Sequence, residues 1–95
     1  MPIIEIENVG QPGKTYRVDA DKFAAMRAAV IAVMPATAPG LTPAEAIAAI
    51  TPALPQDLFP DSKTAGWWFK AVQLDLEAKG LLVRAPKSPV RLWRP

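Results

Sequence analysis

Neither cysteine nor histidine occurs in this 95-residue chain. Without thiols there is no disulfide framework, no cysteine nucleophile and no thiolate metal site. Without imidazole, the commonest general base and the commonest metal ligand are missing together. A metal site would have to be built from carboxylates and carbonyls, and the nine acidic residues show no loop spacing of that kind. Long apolar runs are also missing. The longest near a helix, residues 28–34, falls far short of the roughly 20 residues that cross a bilayer. The first residues, Met1-Pro2-Ile3-Ile4-Glu5-Ile6-Glu7, carry acids where a signal peptide needs basic residues and an apolar stretch. The expectation is a cytoplasmic protein, without membrane contact, metal or cofactor.

What is present is the composition of an ordinary globular domain, 51% hydrophobic and 21% charged. A single domain of this length hides roughly 60–70% of the surface its unfolded chain exposes, enough for one core. The formal net charge of +2 is unevenly placed. Residues 1–60 carry four basic and six acidic side chains, whereas residues 61–95 carry seven basic and three acidic ones. That asymmetry points either to an anionic partner for the last third or to neutralisation of one half by the other.

Eleven prolines and five glycines punctuate the chain, and no internal repeat is visible. Residues 3–9 alternate apolar and acidic, a strand with one wet face. Gln11-Pro12-Gly13-Lys14 has proline and glycine in the two central positions of a type II turn, and residues 15–18 read as the returning strand. Asp19 or Asp21 can cap a first helix that runs to about Met34 and stops at Pro35. Phe23, Met26, Val30, Val33 and Met34 form its core stripe, and the rest of its surface is mostly alanine, suited to close packing within the domain or to a helix–helix dimer. Thr42-Pro43-Ala44-Glu45 is a capping box with proline at the first helical position, opening a short helix over residues 43–50. Leu54, Leu58 and Phe59 are expected to pin the proline-rich segment that follows to the core. A third helix is expected from Asp61 or Ser62 to Lys79, with Gly80 as its left-handed stop. Two strands over 81–85 and 90–94 then flank Pro86-Lys87-Ser88-Pro89, where prolines suit a hairpin tip. The fold class is therefore α+β, one domain over 1–95: an N-terminal β-hairpin (1–19), a helical part (20–80) and a C-terminal β-hairpin (81–95).

This order resembles a winged helix-turn-helix domain over residues 20–95. The stretch Leu76-Glu77-Ala78-Lys79-Gly80-Leu81-Leu82-Val83-Arg84 is similar to the end of the recognition helix and first wing strand of many bacterial transcription regulators. Residues 66–80, with Gly66-Trp67-Trp68 and Val72-Gln73-Leu74-Asp75-Leu76-Glu77-Ala78-Lys79-Gly80, also resemble a family of small uncharacterised bacterial proteins. The winged-helix resemblance implies double-stranded DNA as partner, although the same fold also serves as a protein-docking module. Two features depart from the DNA-reading pattern. The segment between the second and third helices is long and proline-rich, and the third helix lacks a leading face rich in arginine and serine.

At 100° per residue, Ala65, Trp68, Phe69, Val72 and Leu76 share the core side of the third helix. Trp67, Ala71, Leu74 and Ala78 gather on a second apolar arc, with Gly66, Lys70, Gln73 and Glu77 on a polar stripe between. Bases and phosphates are read by hydrogen-bond donors and acceptors, and here only Lys63, Thr64, Lys70 and Gln73 qualify as readers. Trp67 is open to three readings: a second packing layer, an anchor for another protein chain together with Ala71 and Leu74, or a stacking platform for an unpaired base.

With residues 86–89 as the hairpin loop, Arg84 faces Arg91 across the ladder, an unfavourable pairing unless an anion lies between them. Phosphate could supply that anion, with Lys87 at the tip, or Glu5 and Glu7 could supply it from within; Trp93 could also hold either guanidinium over its ring. Asp19, Asp21, Asp57, Asp61 and Tyr16 are the groups able to move protons, but none is paired for acid–base work and no glycine-rich phosphate loop precedes a helix, so no enzyme is expected. Two function classes remain. One is a DNA-binding protein using Lys63, Thr64, Lys70, Gln73, Arg84, Lys87 and Arg91; the other is a homodimerisation or protein-interaction module using Trp67, Ala71 and Leu74.

Overall fold

Local capping signals set where the first two helices begin and where the third ends. The Asp19 carboxylate accepts from the backbone N–H groups of Asp21 and Lys22 and starts α1 (Ala20–Val33). Thr42 and Glu45 exchange side-chain and backbone hydrogen bonds at the head of α2 (Pro43–Ile50), the reciprocal capping box its sequence spells. A single 3₁₀ turn, Thr51–Ala53, follows it. The end of α3 (Ala65–Ala78) is closed by Gly80 at φ 76°: Leu81 N–H bonds to the Leu76 carbonyl and Gly80 N–H to that of Glu77. Its start lies later than the sequence suggested. Thr64 stands at the N-cap with φ 62° and no side-chain capping bond, a conformation that costs a β-branched residue energy. The expected capping residues Asp61 and Ser62 lie outside the described residues.

The computed structural model describes residues 2–60, 63–86 and 89–95. Among them, three α-helices and two antiparallel strand pairs make a mixed α+β fold in the expected order. The first pair, β1 (Ile3–Glu7) and β2 (Thr15–Asp19), runs in register Ile4 to Val18 and Ile6 to Tyr16. Its turn carries the Lys14 N–H to Gln11 carbonyl bond and places Gly13 at φ 86°, as a type II turn requires. The second pair is much shorter than expected, β3 (Val83–Arg84) with β4 (Leu92–Trp93). Leu92 also exchanges two backbone hydrogen bonds with Leu41, of 3.0 and 2.8 Å, so β4 is held from both sides. Gly40 makes this possible. It sits at φ 79°, and a Cβ there would lie 2.1 Å from the Leu92 carbonyl oxygen.

The core forms where the three helices converge. Phe23, Met26, Val30 and Met34 of α1 and its end meet Ala46 and Ile50 of α2, and Trp68, Phe69, Val72 and Leu76 of α3. Leu54 and Phe59 anchor the proline-rich connection, Phe59 standing edge-on to Trp68 with ring centroids 6.4 Å apart. Ile6 from the N-terminal hairpin and Leu82 and Leu92 from the C-terminal one close the two ends. Among the described residues, no helix is long and apolar enough to cross a membrane.

Candidate functional site

The expected confrontation of Arg84 with Arg91 does not occur. Arg84 pairs with Leu92 and Val83 with Trp93, one residue away from the register read in the sequence. Leu92 is fixed by its bonds to Leu41, and the loop lengthens accordingly, with Ala85 N–H bonding to the Arg91 carbonyl. Both guanidinium groups are occupied from within, but by neither Glu5 nor Glu7. Arg84 makes two hydrogen bonds of 2.9 Å to the Glu77 carboxylate, which raise its pKa above the ordinary arginine value. Arg91 lies 3.6 Å from Glu45 and donates to the Gly40 carbonyl. The Glu45 carboxyl is held below the usual glutamate range, chiefly by the Thr42 backbone N–H, then by the Thr42 side chain, with Arg91 a smaller contributor.

Two further cations of the last third are also engaged. Lys79 bridges both oxygens of Asp75 at 2.8 Å, and Arg94 donates to the Met34 carbonyl at the end of α1. Among the described residues a cation–π contact forms away from Trp93, with Lys22 Nζ 6.0 Å from the Trp68 ring centroid. Lys87 lies outside the described residues. Lys63 and Thr64 are exposed just ahead of α3. Gln73, assigned to the polar stripe as a base reader, is instead buried at 4% exposure, where it donates to Glu77. Helical angle placed it on the stripe; the packing around α3 covers that position. Of the seven residues chosen for nucleic acid, Gln73 is therefore covered and Arg84 and Arg91 are bonded within the chain, whereas Lys63, Thr64 and Lys70 are exposed.

The three residues chosen for a protein interface do come together. Trp67, Ala71 and Leu74 follow one another along α3 and form one wall of a groove of about 500 Å³. The other wall is the N-terminal hairpin, contributing Ile6, Tyr16, Arg17 and Val18. Trp67 is 60% exposed, the most open of the large apolar side chains among the described residues, and rests edge-on against Trp68 at 5.0 Å. Tyr16, on the hairpin wall, bonds to the Gln11 side chain, which fixes the phenol at the groove rim. The alanine face of α1 is divided: Ala25 and Ala29 pack against the core, while Ala24, Ala28 and Ala32 are exposed.

The residue that builds this groove escaped the sequence reading. Asp75 is fully buried, and its Oδ1 accepts from Glu7 N–H at 2.8 Å. Beside it, Val9 N–H bonds to the Leu74 carbonyl. These two contacts hold the hairpin against α3 and fix the spacing of the walls. An acid on an otherwise apolar part of the helix was the available signal, since a buried carboxylate needs a partner. Among the described residues, no three acids gather as a metal site. A family model matches residues 3–92, that of a family of unknown function (DUF6958). No curated protein and no solved structure matches.

Proposed function

The chain belongs to this DUF6958 family, and we propose that it is a protein-interaction module whose groove between β1–β2 and α3 receives a segment of a partner protein. Trp67 carries the reading: a 60% exposed tryptophan, set in a concave apolar surface with Ala71, Leu74 and Val18. Buried aromatic anchors dominate interface energetics because each removes a large apolar area with few torsions to freeze. A groove of about 500 Å³ has room for a few side chains of a docking segment. The winged-helix reading is compatible with this role. The succession α1, α2, α3, β3, β4, with Leu41 bridging to β4, is in keeping with it, and that architecture also serves as a docking scaffold.

Duplex DNA has less support as the partner. Arg84, Arg91, Lys79 and Arg94 are already hydrogen-bonded within the chain, and a phosphate contact would have to displace those bonds. The hairpin also lies along α3 at Leu74 and Asp75, on the side of the helix that carries the groove.

A photo-activated phenylalanine analogue in place of Ala71 tests the proposal in cells that make the protein. The expected result is protein adducts that vanish on Trp67→Ala and do not form from the same probe at exposed Ala48 of α2. Adducts to nucleic acid, or adducts indifferent to Trp67, would contradict it.

A further inference from the structure

Two cations line the groove from opposite walls, Lys70 on α3 and Arg17 on β2. Neither has a carboxylate within ion-pair distance among the described residues. This holds for Arg17 even though Glu5 is its cross-strand neighbour. The contrast with the last third is sharp: there Lys79, Arg84 and Arg91 each have an acid, whereas the groove keeps its two cations without one. Glu7 is the one acid in the groove lining, which leaves an excess of one positive charge around an apolar floor.

Resting on the docking role above, we infer that the occupant is an acidic–apolar segment of another protein, in which a large apolar side chain is flanked by carboxylates on both sides. The apolar side chain meets Trp67, Ala71 and Leu74, and the carboxylates reach Lys70 and Arg17. Complementary charge of this kind speeds encounter and rejects basic competitors more than it deepens affinity. A second copy of the chain fits poorly. A two-fold contact sets the patch against itself, so two copies each of Lys70 and Arg17 would converge with only two Glu7 carboxylates to balance them.

Panning a displayed random peptide library on the intact domain, with the Trp67→Ala domain as counter-selection, separates this inference from the docking role. The expected outcome is enrichment of peptides with an apolar residue between acids, lost on the variant. A synthetic peptide from that pool should bind about tenfold more weakly to Lys70→Glu and to Arg17→Glu, and recover when its acids are changed to lysines. Both sites are exposed, and unchanged circular dichroism of each variant checks that the fold persists. Groove-dependent peptides without acids would overturn the charge inference and leave the docking role intact. No groove-dependent enrichment would overturn both.

Discussion

Asp75 and Lys79 form an ion pair of unequal exposure, and that inequality sets the order in which their removal hurts. Asp75 is fully buried, whereas the Lys79 side chain is 40% exposed. In Asp75→Ala, the orphaned ammonium turns out to water, and the main loss is the charge-assisted bond from Glu7 N–H. Such bonds contribute about 1.5–3 kcal/mol, so a loss of about 2 kcal/mol is expected. In Lys79→Met, the carboxylate stays buried with one remaining donor. Stranding a buried charge costs about 3–5 kcal/mol where no water reaches it; partial access past residue 79 brings the expectation to about 3 kcal/mol. The double variant should resemble Asp75→Ala, because the stranded charge is gone. For a domain of this size each kcal/mol shifts Tm by about 5 °C, so thermal melts resolve the order. Amide exchange supplies the local readout: Asp75→Ala should deprotect Glu7 and Val9 well before the amides of α1. An Asp75→Ala variant that is the costlier single change, or hairpin amides that keep their protection, would refute this order.

Other consequences are independent of that pair. Trp67→Ala should destabilise the free domain by no more than about 1 kcal/mol, whereas its neighbour Trp68→Ala, which removes a core ring, should cost about 3–5 kcal/mol in denaturant unfolding. Gly40→Ala combines a left-handed backbone with a Cβ driven into the Leu92 backbone, and should cost at least about 2 kcal/mol. Loss of chemical-shift dispersion around Leu41 and Leu92 would locate the damage. Glu45 has a folded pKa below its unfolded one, so its contribution is complete above the ordinary glutamate value and disappears as pH falls through the lowered value. The stability gap between the native chain and Glu45→Gln should therefore close as pH falls below the ordinary glutamate value of 4.5, and a gap that stays constant on acidification would refute the capping-box assignment.

The caps of α1 and α2, the first hairpin turn and the stop of α3 were legible in the sequence because they are contacts between residues two to five apart. Thr42 and Glu45, Pro12 and Gly13, and Gly80 each act where their local chemistry placed them. The apolar arc of Trp67, Ala71 and Leu74 was legible for a similar reason, since helical period alone aligns it. The C-terminal register was not. It is set by Leu41 and by the space at Gly40, more than fifty residues from the strand they hold, and one residue of slip changed the partners of Arg84 and Arg91. The second wall of the groove was equally out of reach, because Glu7 and Asp75 lie 68 residues apart and nothing local specifies their hydrogen bond. Gln73 shows the limit of the angular argument: burial on a polar stripe depends on what packs beside the helix.

Backbone amide shift mapping with two titrants goes most directly to the contrast between an open groove and the two hairpin arginines, Arg84 and Arg91, that are paired within the chain. With an acidic–apolar peptide, shifts should concentrate at residues 16–18 and 67–74, and a short DNA duplex at low salt should leave Arg84 and Arg91 unmoved. A duplex that shifts Arg84, Arg91 and Lys70 together, while the peptide leaves Trp67 untouched, would contradict it.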